Sequence, residues 1–229
     1  MAETEKQIIS EVIARDIIAD APDYENNIRT KFPGYNLVFT FPTCPIEDEK
    51  YLAFPAYIKK VTDTFSPTYD PRQVYGRMDP IPIYQRTTRA IQFDLDLPSN
   101  GINQSIHIAK KLNILVKNLY PSYQQNGSVN IISSPPLVKI FFSNLIYDVQ
   151  TQGSLLGYFA SPVAISHDLE KGVFAKEEGY ETYPRSYTLN FTFNVLHQYT
   201  PGYVTNNQNI TANPVNILGK ATLNTTLLR

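Results

Sequence analysis

Residues 185–199, RSYTLNFTFNVLHQY, decide the fold class. Tyr187, Leu189, Phe191, Phe193 and Val195 alternate with Thr188, Asn190, Thr192 and Asn194. Successive side chains of a strand point to opposite faces, so a period of two predicts a strand with one dry and one wet face. Residues 89–97, RAIQFDLDL, repeat the pattern, with Ile91, Phe93, Leu95 and Leu97 on one face and Gln92, Asp94 and Asp96 on the other. The chain also holds 16 Tyr, 12 Phe and 17 Pro and lacks Trp, a profile of strands and extended connections. The expected class is α+β, mainly β.

Outward from these two segments the pattern continues. The run 138–147 is rich in β-branched and aromatic residues and predicts a strand, with 155–165 pairing to it. Residues 35–41, YNLVFTF, predict another, and 51–58, YLAFPAYI, a further one in which Pro55 marks an edge or a bulge. The stretch 69–83 is turn-rich. Ile108, Ala109, Leu112, Leu115, Val116 and Leu119 form a helical stripe opposite Lys110 and Lys117, and Pro121 follows its end.

At the N-terminus Ile8, Ile9, Val12, Ile13 and Ile17 recur at three- and four-residue intervals, which predicts an amphipathic helix over 5–19, stopped by Pro22. Ile9, Val12, Ile13 and Ile17 are its candidate partner-docking residues, toward its own domain or a neighbouring subunit. Past Pro201 the composition turns to Asn, Thr and Gly, an extended arm that a partner would order. The expected organisation is an arm at 1–21, one β domain at 22–199 and a C-terminal arm at 200–229.

The bulk numbers exclude several classes. A chain of 229 residues with 42% apolar content can bury a real core. Twenty basic against 21 acidic residues leave a formal charge of -1, so no global field draws the chain to nucleic acid or anionic lipid. Cys44 is alone, which rules out an internal disulfide framework and a cysteine zinc site. The first twenty residues lack the basic start and unbroken apolar centre of a signal peptide, and no window is long and apolar enough for a membrane span. A protein that is soluble until it assembles is expected, with no membrane insertion.

Chemistry-bearing motifs are absent from the sequence. His107, His167 and His197 have no metal-pair spacing, and no nucleophile elbow, phosphate loop or dinucleotide fingerprint occurs. Asp94 and Asp96 sit two apart on one strand face, about 7 Å from each other. They are either a carboxylate pair or the wet face of a half-buried strand, and the second reading fits the rest of the chain. No catalytic residue, metal or cofactor is expected, and no enzymatic activity.

One resemblance spans the order of features over about residues 51–199. Residues 75–80, YGRMDP, precede 84–89, YQRTTR, which leads into the alternating strand and then the Leu-rich helix ending in 119–123, LYPSY. Residues 134–140, SPPLVKI, 144–146, NLI, 155–158, LLGY, 168–174, DLEKGVF, 183–191, YPRSYTLNF, and 195–197, VLH, follow. In this order the chain resembles the tail-tube initiator, or baseplate tube-cap, proteins of contractile-tailed bacteriophages. The resemblance implies a tail-tube-like fold of two packed antiparallel sheets with a flanking helix. It implies a hexameric ring in the baseplate hub that initiates tube polymerisation and continues the DNA channel. The implied partners are other copies of itself, the tail-tube protein, the hub and wedge or sheath-initiator proteins, with DNA only as passing cargo. The implied location is the virion, after assembly in the host cytoplasm.

Under that reading Gln92, Asp94, Asp96, Thr188, Asn190, Thr192 and Asn194 are candidate lumen residues, and Asp94 and Asp96 repeated six-fold form acidic rings that repel phosphate. The alternative is that the same side chains face outer solvent or a partner. Three other functions compete. They are a tube terminator or neck connector, a β-rich cell-wall hydrolase using Asp94 and Asp96, and a glycan-binding β-sandwich.

Overall fold

The computed structural model of the protein describes residues 36–55, 57–126, 129–142, 145–146, 148, 154–160, 162–176, 181–206 and 209–213. The helix expected at 5–19, with Ile9, Val12, Ile13 and Ile17, lies outside them. Strands β1 (Asn36–Thr40), β2 (Tyr51–Pro55), β3 (Tyr57–Arg72) and β4 (Ile81–Pro98) lead to one α-helix, α1 (Ile102–Lys117). A hairpin of β5 (Ser122–Asn126) and β6 (Val129–Ser134) follows, then β7 (Val138–Phe142), β8 (Leu155–Phe159), β9 (Ala164–Lys176) and β10 (Glu181–Val195). A last hairpin pairs β11 (Gly202–Asn206) with β12 (Asn209–Asn213), so part of the expected arm folds back on itself.

All strand pairs are antiparallel, and eight strands form one sheet in the order β2-β1-β7-β8-β10-β4-β3, with β9 also on β10. The fold is mainly β, as the alternation predicts. The two layers are limbs of a single folded sheet. In a flat sheet β1 and β10 stand three spacings apart, about 14 Å, yet the Phe39 and Phe191 ring centroids are 5.6 Å apart. Phe39 also meets Phe54 at 5.9 Å and Phe159 at 6.1 Å, while Phe191 stacks on Phe93 at 4.7 Å. These rings fill the space between the limbs with offset and edge-on contacts.

Helix α1 covers the same core through Ile108, Leu112 and Leu115. Lys110 and Lys117 are exposed as expected, whereas Lys111 is buried and donates to the Ala53 carbonyl at 3.0 Å. Ser105 Oγ donates to the Pro184 carbonyl at 2.7 Å and lies 3.1 Å from the Tyr187 hydroxyl, fixing the helix to β10.

Within the eight-stranded sheet the structure differs from the sequence expectations at four places. Residues 51–58 are two strands, with Pro55 ending β2 at the sheet's edge, where its missing donor is harmless. The turn-rich stretch is instead the outer half of a long ribbon: β3 runs through Arg72 and β4 starts at Ile81. Pro67, Pro71 and Pro82 are tolerated there because each ribbon strand pairs on one side only. The run 138–147 stops at Phe142, where Ile146 donates back to the Phe142 carbonyl at 3.1 Å. The run 155–165 divides into β8, which pairs with β7 as expected, and β9, which moves to β10.

Two ribbons leave the sheet at opposite ends. The last β4–β10 pair on one side is Ala90 with Asn194, and β3–β4 continues beyond it to Arg72 and Ile81. On the other side the last pair is Pro98 with Ser186, and β9–β10 continues to Lys176 and Glu181.

Gly157 sits in β8 where the limbs meet, between Val138 and Val195. A Cβ there would collide with the Phe193 ring and the Asn194 carbonyl oxygen, so only glycine lets the Phe193 ring lie across β8. Gly157→Ala should therefore cost about 1–3 kcal/mol, lowering the melting temperature by roughly 2–12 °C. Gly101→Ser, in open space at the N-cap of α1, should leave it unchanged or raise it. Thermal unfolding followed by circular dichroism checks both, and an unperturbed Gly157→Ala contradicts the packing described.

Candidate functional surface on the polar face of the sheet

Pairing of β4 with β10 places the sequence candidates in two facing rows. Asp96 stands opposite Thr188, Asp94 opposite Asn190, Gln92 opposite Thr192, and Asn194 opposite Ala90. The dry partners Phe93, Leu95, Leu189 and Phe191 are buried on the other side. All seven candidates thus share one face of the sheet. Strand β3 extends the face, with Thr62 opposite Gln92 and Lys60 opposite Asp94. Lys60, Thr62, Gln92, Asp94 and Asn190 line a shallow depression of about 340 Å³. Further along the same face Asn194 Nδ2 donates to the Tyr158 hydroxyl at 3.2 Å.

The two carboxylates differ in setting. Asp94 is half-buried and makes no ion pair among the described residues. Asp96 is 8% exposed, and it accepts from Lys59 Nζ at 2.9 Å, Lys171 Nζ at 3.1 Å and Thr188 Oγ1 at 3.1 Å. Burial pushes its carboxyl up, but the hydrogen bonds from Lys59, Lys171 and Thr188 and the Lys171 charge together outweigh that and hold it below the usual carboxylate range. Lys171 also bridges to Asp168 at 2.9 Å. That bond and the Lys171 charge lower Asp168, while Asp168 and then Asp96 raise Lys171.

Lysines 59, 60 and 171 therefore match Asp94, Asp96 and Asp168 one for one on this face, and the repulsion of phosphate expected from two bare aspartates is offset. Sequence reasoning missed these lysines because long-range pairing brings them in. Lys59 is the extra residue of a register shift between Ile58 and Lys60, and Lys171 arrives on β9. A Lys-Lys dipeptide closing an apolar run was the signal available.

A hydrolytic pair would need one carboxyl held protonated near neutrality. Asp96 is shifted the opposite way, and two ammonium groups occupy its oxygens. The histidines are dispersed. His107 lies in α1, His167 is in strand β9 and meets the Tyr187 ring edge-on at 5.4 Å, and His197 follows β10. Burial, then the Arg89 charge, push His197 down against the pull of Asp148. No cluster of metal-ligating side chains occurs among the described residues, and no helix there is long and apolar enough to cross a membrane.

Since Asp96 ionises more readily folded than unfolded, its stabilisation is fully present above the ordinary carboxylate pKa of about 4 and is lost as pH falls below it. Asp96→Asn should cost about 2 kcal/mol at pH 7, with the two stability curves converging as the pH is lowered from 4 toward 2. Urea unfolding across that range is the check, and parallel curves would show that the lysine cage contributes nothing.

Comparison with models of known protein families gives no match for the chain, and comparison with curated proteins gives none.

Proposed function

We propose that the chain is a structural protein of a contractile phage tail. In this reading it forms a hexameric ring in the baseplate hub and tube region, initiates tail-tube polymerisation and continues the DNA channel. The observation that carries the proposal is the open edge of the sheet. β3 is 16 residues long and ends the eight-stranded order, so along its outer side, free of proline from Tyr57 to Ser66, it pairs with no strand among the described residues. An edge of that length is a template for another chain's backbone, and copies that pair edge to edge by a closing rotation build a ring.

Three further features support the reading. The polar face of β3, β4 and β10 carries Gln, Asn, Thr and balanced charge, the lining a passing polyanion slides over without sticking. The two ribbons projecting from opposite ends of the sheet give a subunit distinct contacts above and below, as stacking on a hub and receiving a tube ring require. Large apolar side chains are exposed on several hairpins, among them Tyr75, Met78, Ile132 and Tyr203, which fits burial by partners. The function is geometric and calls for no catalytic group.

The test is nucleation. Added to the tail-tube protein of the same virion, the purified chain should remove the lag before tubes appear, and Asp94→Asn should nucleate as well as the wild type. Degradation of cell wall that Asp94→Asn abolishes would instead make this carboxylate catalytic and overturn the proposal.

A further inference from the structure

The β3–β4 ribbon carries the dry alternation of the sheet out beyond the core. The root is marked by Arg89, 5% exposed, whose Nε and Nη2 donate to the Asp63 carboxylate at 3.0 and 2.6 Å while its guanidinium lies 5.3 Å from the Phe65 ring centroid. Val61 and Asp63 oppose the buried Phe93 and Ile91, so Phe65, Pro67 and Tyr69 continue the same face outward. Opposite Tyr69 a register shift presents Tyr84, with ring centroids 5.7 Å apart and the Tyr84 hydroxyl 2.8 Å from Thr87 Oγ1. Tyr69 is 54% exposed, Tyr84 56% and Phe65 37%. A two-stranded ribbon with an apolar face and no second layer over it among the described residues is marginal in water.

We propose that this face is the docking site of the chain's own N-terminal segment, residues 5–19, in the free subunit. Ile9, Val12, Ile13 and Ile17 give that segment one apolar face at helical spacing. As a helix it measures about 22 Å, and the ribbon from Phe65 to Pro71 about 20 Å. The net charges are opposite in sign. Residues 1–20 hold five acidic and two basic side chains, and residues 64–88 of the ribbon hold three basic and two acidic. The tether is sufficient, because residues 20–35, which lead into β1, reach up to about 53 Å. In a flat sheet β1 is five spacings from β3, about 24 Å. A tether of this length places the helix at an effective concentration near the millimolar range, which favours its own ribbon over a neighbour's.

The consequence is a subunit that covers its most apolar projection until a partner competes for it. Docking of this kind stands whether or not the subunit later forms a ring.

The experiment compares hydrogen exchange and hydrophobic-dye binding of the full chain, a chain lacking residues 1–20, and the full chain carrying Ile9→Asp and Ile13→Asp. In the last two, amides of residues 64–72 and 81–88 should exchange about tenfold or more faster and dye binding should rise, with β7 unchanged. Ile13→Cys with Tyr84→Cys, in a Cys44→Ser background, should form a disulfide within one chain at micromolar concentration. Unchanged exchange and dye binding would overturn the proposal, and so would disulfides that join only separate chains.

Discussion

The antiparallel pairing of β4 with β10 sets which side of the molecule is dry. Phe93 faces Phe191, and their rings stack at 4.7 Å. One residue along, Asp94 faces Asn190. A slip of β10 by a single residue would send Tyr187, Phe191 and Phe193 to solvent and bury Thr188, Asn190 and Thr192, so the register is fixed by the cost of that exchange. The aromatic core between the two limbs, the seat of α1 and the polar face all follow from it. The Asp96 cage adds a local lock, since Lys59 from β3, Lys171 from β9 and Thr188 from β10 converge on one carboxylate of β4.

How much was legible in the sequence follows from the range of the interactions. The β4 and β10 alternations and the stripe of α1 are set by side chains a few residues apart, and the structure has each of them. Phe39 meeting Phe191 depends on a sheet folded on itself at β8, and nothing in a local window signals that the two layers are continuous. The outer ribbon was hidden by its own prolines, which signal turns unless one side of each strand is known to be free. For the polar face, the seven residues and their common side were readable from period two. Their charge balance was not, because the three lysines arrive through a bulge and a distant strand.

The two ribbons and the open edge of β3 belong together physically. A small domain that projects paired strands beyond its core leaves apolar side chains and backbone donors without partners among the described residues, and the proposed assembly would satisfy both. The proposed ring uses the β3 edge around its circumference and the ribbons along its axis, leaving the polar face for the channel. The same arithmetic explains why a free subunit benefits from covering its ribbon, since the apolar surface that suits it to a stack also invites association without order.

Electron microscopy with mass determination, on the purified protein alone and mixed with the tail-tube and hub proteins, tests the central claim most directly. The account predicts six-fold annuli on the hub, with β3 of each copy running along its neighbour and the row of Gln92, Asp94, Asn190 and Thr192 facing the pore. A protein that stays monomeric in every mixture, or rings that leave the β3 edge in solvent, would contradict it.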